Sequence, residues 1–92
     1  MKQFLVVAYD IVDDRRRQSV AKLLQQHGQR CNESVFECVL TDAKIEKLKL
    51  RLSQLANVKE DVILYYYLCL PCVMKRESFG KRPEIQSEIV MI

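Results

Sequence analysis

The stretch Phe4-Leu5-Val6-Val7-Ala8-Tyr9-Asp10, followed at once by Ile11-Val12-Asp13-Asp14-Arg15-Arg16-Arg17, decides how this chain folds. A run of apolar and aromatic residues leads to a carboxylate, and an acidic-to-basic switch then opens a helical pattern. Phe4, Val6 and Ala8 alternate with Leu5, Val7 and Tyr9, and neither set is polar. A strand that is apolar on both faces is covered on both faces, so this one is expected at the centre of its sheet. Asp10 stands where the strand stops. A strand end is rigid and reaches the surface, so a carboxylate there is well held and open to an ion or a substrate. A solvated turn aspartate is the plainer account of the same residue.

Asp13 or Asp14 starts the helix that follows, because a short acceptor side chain satisfies free N–H groups and a negative charge suits the positive helix end. Val20, Ala21, Leu24 and His27, with Leu23 beside them and Arg17 at the edge, share one face. Gly28 is expected to end the helix in a left-handed cap. His27 reads as a helix-end side chain packed on the sheet. Next, Phe36, Cys38 and Leu40 alternate with Val35, Glu37 and Val39, the period of a strand. Asn32-Glu33 is either a tight turn or a bulge within that extended stretch. Thr41 is a natural N-cap for a second helix, whose stripe is Ile45, Leu48, Leu52, Leu55 and Ala56. Leu50 lies off that stripe.

Val62 to Cys69 is a further strand, again apolar on both faces. Two crossover helices in one small sheet lie on the same face. The opposite face is then apolar and uncovered, which predicts a dimer from the pattern alone. Pro71 to Glu84 carries Lys75, Arg76, Lys81 and Arg82 with Gly80 and Pro83, and reads as a basic connector or a phosphate-contacting arm. The tail from Ile85 is apolar and strand-like, and pairing with a sheet edge, its own or a partner's, is its simplest resting place. The order is strand, helix, strand, helix, strand, strand. That is an α+β, ferredoxin-like β-α-β-β-α-β sandwich over residues 1–70, with residues 71–92 as basic connector and added C-terminal strand.

At 92 residues the chain is one domain, short enough to lean on a partner for part of its burial. Hydrophobic content of 49% with two Gly and two Pro indicates packed structure rather than disorder. A net charge of +3 permits nucleic-acid binding, and dimerisation doubles it. The longest apolar run is too short to span a bilayer, and Asp10 interrupts the N-terminal run without a small-residue cleavage site after it, so a cytoplasmic protein with no membrane partner is expected. There is no Gly-rich phosphate loop, Ser/His/Asp series or paired His, which removes most catalytic motifs. The four cysteines, 31, 38, 69 and 72, are expected to be reduced and packed. Cys69-Leu70-Pro71-Cys72 is a CxxC, open to reading as half a zinc site or a redox pair.

Val7-Ala8-Tyr9-Asp10-Ile11, Asp13 to Arg17, Val20 to Leu24, Gly28, Ser34 to Cys38 and Leu40-Thr41 occur in this order and spacing over the first two-thirds of the chain. Together they resemble the CRISPR-associated (Cas) protein two family. The resemblance implies a homodimer whose sheets pack face to face, acting in the insertion of DNA fragments into a CRISPR array alongside a Cas integrase. It further implies a metal-dependent endonuclease of RNA or DNA, with single-stranded RNA among its substrates. Asp10 would hold Mg²⁺ at the dimer axis, Arg17 would join it as a catalytic residue, and Tyr9 and Phe36 fall on other positions of the motif. Arg15, Arg16, Lys75, Arg76, Lys81 and Arg82 are the candidate phosphate contacts. Asp13 is a second acceptor near Asp10, although helix capping accounts for it. A non-catalytic DNA-binding bridge between integrase dimers is the alternative, and a toxin-type RNA nuclease of similar fold a more distant one.

Overall fold

Strand β1 (Lys2–Asp10) lies at the centre of a four-stranded antiparallel sheet in the order β2-β3-β1-β4, as its two apolar faces require. The computed structural model describes residues 1–80. The other elements are α1 (Asp14–Gln25), β2 (Gly28–Asn32), β3 (Val35–Thr41), α2 (Asp42–Leu55), β4 (Val62–Leu68) and α3 (Leu70–Met74). This is the expected ferredoxin-like α+β arrangement, with β1 paired to β3 on one side and to β4 on the other. Among the described residues no helix is long and apolar enough to cross a membrane.

Register sorts the side chains into two faces. Leu5, Val7 and Tyr9 of β1 share one face with Cys38 and Phe36 of β3 and with Tyr65 and Ile63 of β4. Both long helices cover that face. Val20, Ala21, Leu23 and Leu24 of α1 and Ile45, Leu48 and Leu52 of α2 close the main core over it. The capping chemistry is as the sequence implied. The Asp13 carboxylate accepts the Arg16 backbone N–H at 3.0 Å, and the Thr41 hydroxyl accepts that of Lys44 at 3.3 Å.

Three details depart from expectation or resolve it. Asn32-Glu33 resolves to the turn: the chain turns after Asn32 to form a β2–β3 hairpin, and the bulge falls one step earlier, at Cys31, where the ladder shifts register between Arg30 and Asn32. Gly28 does not cap α1. The helix ends at Gln26 in a right-handed conformation, and Gly28 is the first residue of β2. Its lack of a side chain serves a close approach instead. A Cβ at this position would press on the Glu37 carbonyl oxygen and sit 2.5 Å from Cys38 Sγ. Gly28→Ala is therefore expected to destabilise the fold by about 1–3 kcal/mol through overpacking, read as a lower denaturation midpoint in urea.

The third departure concerns the sheet's second face. The chain after β4 first forms α3, ahead of the irregular stretch that begins at Lys75. Val73 of α3, 2% exposed, packs on Phe4 and Val39, with Val6, Leu68 and Leu70 around them. One end of the face is thus covered within the chain. The other end is open: Val62, Leu64 and Tyr66 are 49%, 47% and 51% exposed. Lys81, Arg82 and the expected tail strand lie outside the described residues.

Candidate metal and nucleic-acid site

Asp10 is the last residue of β1 and is exposed. It lies in register with Val62, so its side chain belongs to the open face with Ala8, Leu64 and Tyr66 rather than to the helix-covered one. Tyr9, its neighbour, points the other way. Tyr9 is buried, stacks on Phe36 with centroids 6.3 Å apart, and donates its hydroxyl to the Glu33 carbonyl at 3.0 Å. Burial raises its pKa, with Arg30 and Arg17 pulling the other way. Phe36 is fully buried beneath the Arg30 guanidinium, 5.1 Å from the ring centroid. These two motif residues build the floor of the core. They hold the strand end from beneath and do not stand beside Asp10.

The loop between β1 and α1 is fastened on both sides. Arg17 donates from Nη1 to the Ile11 carbonyl at 2.8 Å and pairs with Asp14, so it braces the turn that follows Asp10. Arg16 reaches across to the loop before β4. Its Nε lies 2.9 Å from Asp61 Oδ2 and its Nη2 lies 2.8 Å from Glu60 Oε1. Arg16, a candidate phosphate contact by its charge, is thus paired with two carboxylates inside the chain. Arg76 is committed too, with Nη2 2.9 Å from Glu37 Oε1 and its guanidinium carbon 5.6 Å from the Phe4 ring centroid. Arg15 and Lys75 are exposed on the surface.

Asp61 carries no signal in the sequence that sets it apart from the other polar residues of its turn. Its side chain is only 1% exposed. Besides Arg16 it accepts the backbone N–H of Val12 at 3.0 Å and of Asn57 at 2.8 Å. Those bonds tie the loop after Asp10 to the loop after α2. The bond from Arg16, with the two backbone donors, holds the Asp61 carboxyl down to about 2 against the pull of burial. An unfolded aspartate titrates near 3.9, so this latch stabilises the fold fully above about pH 4 and is lost as pH falls through about 2. Asp61→Asn is expected to lower the melting temperature at neutral pH and to flatten its fall between those two pH values. A variant whose acid limb still parallels the wild type there would remove Asp61 from this role.

The acids near the strand exit therefore divide by task. Asp13 caps α1, Asp14 pairs with Arg17, Asp61 holds the latch, and Asp10 faces outward. Among the described residues no three His, Cys, Asp or Glu side chains gather as a metal cluster. At the strand exit, among the described residues, a single copy offers a hard cation one outward carboxylate, that of Asp10.

The fold and site define a ferredoxin-like chain whose central strand delivers one carboxylate to the rim of a half-open sheet face. The family model for CRISPR associated protein Cas2 matches residues 2–76, and the chain belongs to that family. A CRISPR-associated endoribonuclease Cas2 of Synechocystis is 41% identical over 78 residues, which is 85% of either chain. Among solved structures, a hypothetical protein of Thermus thermophilus superposes with a TM-score of 0.82 at 36% identity, over 91% of this chain and 98% of its own. Streptococcus pyogenes Cas2 superposes with a TM-score of 0.76 at 35% identity, over 84% and 99%.

Proposed function

We propose that this chain is a Mg²⁺-dependent endonuclease of phosphodiester bonds, active as a homodimer, which serves the insertion of DNA fragments into a CRISPR array beside a Cas integrase. The observation that carries the reading is the place of Asp10: an outward carboxylate on the rim of a sheet face whose Val62, Leu64 and Tyr66 stand half exposed. An apolar face of this kind is stabilised by a second copy, and a two-fold axis makes the contact self-complementary. The second copy brings a second Asp10 to the same rim. The endoribonuclease names of the relatives support the activity.

The donor set fits Mg²⁺ on those terms. Mg²⁺ is a hard ion that keeps several waters and needs one or two carboxylates besides phosphate oxygen, whereas a structural zinc site needs four nitrogen or sulfur ligands. The two Asp10 side chains would hold it. When bound, it supplies charge neutralisation at the phosphodiester and a lowered pKa for a water. This chain's own residues position that carboxylate. Arg17 and the Arg16–Asp61 latch fix the loop after it, and the Tyr9–Phe36 stack fixes the strand beneath it. Arg15 and Lys75 meet backbone phosphate without reading bases, together with Lys81 and Arg82.

A second reading rests on the same count of carboxylates. One outward acid at the strand exit, with no general acid or base beside it among the described residues, also suits a non-catalytic DNA-binding bridge between integrase dimers. The Asp10→Asn variant tests both. Loss of metal-dependent cleavage with the dimer preserved supports the nuclease, and unchanged cleavage overturns it. Fragment integration that survives Asp10→Asn while charge reversal at Arg15 and Lys75 weakens DNA binding supports the bridge.

A further inference from the structure

The CxxC stands apart from the Asp10 rim and has a geometry of its own. Cys69 follows β4 and Cys72 lies one turn on in α3, both thiols exposed, with Sγ atoms 3.2 Å apart. A disulfide needs about 2.05 Å, so the sulfurs have only about 1 Å left to close. The corner that holds them is anchored at both ends. β4 is zipped to β1 along its length, and α3 is pinned by Val73 on Phe4 and Val39. The Val73 N–H donates to the Cys69 carbonyl at 3.1 Å, closing the turn between the two cysteines. The entropy of bringing the thiols together is therefore already spent by the fold.

The two thiols are also unlike. Their shared hydrogen bond, with the Cys72 backbone N–H added, lowers the pKa of Cys69 below the ordinary thiol value. The same hydrogen bond raises that of Cys72. Cys38, by contrast, is fully buried and its thiol is pushed up to about 12 by desolvation, which leaves it inert.

We propose that Cys69 and Cys72 form a thiol–disulfide exchange site that reacts with low-molecular-weight disulfides and closes to an intramolecular disulfide at the β4–α3 corner. The Cys69 thiolate attacks one sulfur of the small disulfide, forming a mixed disulfide and expelling one thiolate. Cys72 then gives up its proton and attacks the Cys69 sulfur, expelling the second thiolate. Two protein thiols are oxidised, one small disulfide is reduced to two thiols, and the two protein protons pass to those products. Closure locks the corner through which α3 covers its end of the sheet.

The test equilibrates the full chain in glutathione buffers of graded ratio, blocks free thiols with a maleimide, and weighs the tryptic peptide 60–75, which contains both cysteines and no other. The expected product is that peptide lighter by two hydrogens and restored by reductant. Its formation constant in the folded chain should exceed that of the urea-unfolded chain by at least about tenfold, equivalent to about 30 mV. Cys72→Ser should stop at one glutathione adduct on Cys69, formed severalfold faster than the adduct on Cys72 in Cys69→Ser. Both thiols are exposed, so neither variant disturbs the core. A folded constant no larger than the unfolded one, or oxidation that runs through Cys31 or between chains, overturns the proposal. Equal adduct rates in the two variants overturn the assignment of Cys69 as the entry thiol.

Discussion

Asp10→Asn is expected to lower Mg²⁺-dependent cleavage by at least about a hundredfold, the usual cost of removing a group that stabilises charge in the transition state. The melting temperature of the metal-free protein should hardly change. Asp10 is exposed at a strand end, and an exposed change of charge without change of shape is within about 0.5 kcal/mol. The dimer gives the sharper signature. In the proposed dimer the two Asp10 carboxylates would repel one another with no cation between them, so the metal-free variant should associate as tightly as the wild type or more so. Mg²⁺ should raise the melting temperature of the wild type by mass action and leave that of the variant unmoved. These readouts separate the metal role from a folding role. A variant that loses cleavage and also falls apart would show Asp10 to be an interface residue. A variant that keeps the Mg²⁺ shift would show that the ion binds elsewhere.

Much of this arrangement is legible in the sequence because it rests on short-range patterns. The two-sided apolarity of Phe4 to Tyr9 places β1 centrally, and the 3.6-residue stripes of α1 and α2 pick out Val20, Leu24, Ile45, Leu48 and Leu52. Asp13 and Thr41 announce their helices by capping chemistry. What the pattern cannot carry is contact between distant segments. Asp61 is 45 residues from Arg16, and nothing in Asn57 to Asp61 distinguishes a buried latch from a solvated turn. Arg76 is 39 residues from Glu37. Its guanidinium lies over the Phe4 ring, a contact that its charge alone does not announce. A glycine after a helix most often caps it, whereas the reason for Gly28 lies in Glu37 and Cys38 on the neighbouring strand. Alternation also fixes what Asp10 and Tyr9 share. They are adjacent in the motif yet face opposite sides of the sheet, so one faces outward and the other packs into the core.

Phe36→Ala puts that division to a quantitative test. The ring is fully buried, stacked on Tyr9, and roofed by Arg30. Truncation removes the apolar transfer energy of the ring and leaves a cavity that β-sheet neighbours cannot collapse into, at a cost of about 3–5 kcal/mol. Total stability of a small domain is about 5–15 kcal/mol, so the variant is expected to be marginal, its melting temperature lower by on the order of 20 °C at fixed protein concentration. Phe36→Leu, which restores most of the volume, should recover most of the loss. The Tyr9 hydroxyl supplies an independent readout. With its stacking partner gone and water admitted, the burial that raises its pKa weakens, and the phenol should titrate closer to its ordinary value. A residue whose task was to stack on a base or to touch substrate would behave otherwise: Phe36→Ala would keep its stability and lose activity alone. A loss of under about 1 kcal/mol in Phe36→Ala, with cleavage abolished, would move Phe36 from the foundation of the strand end to the site itself.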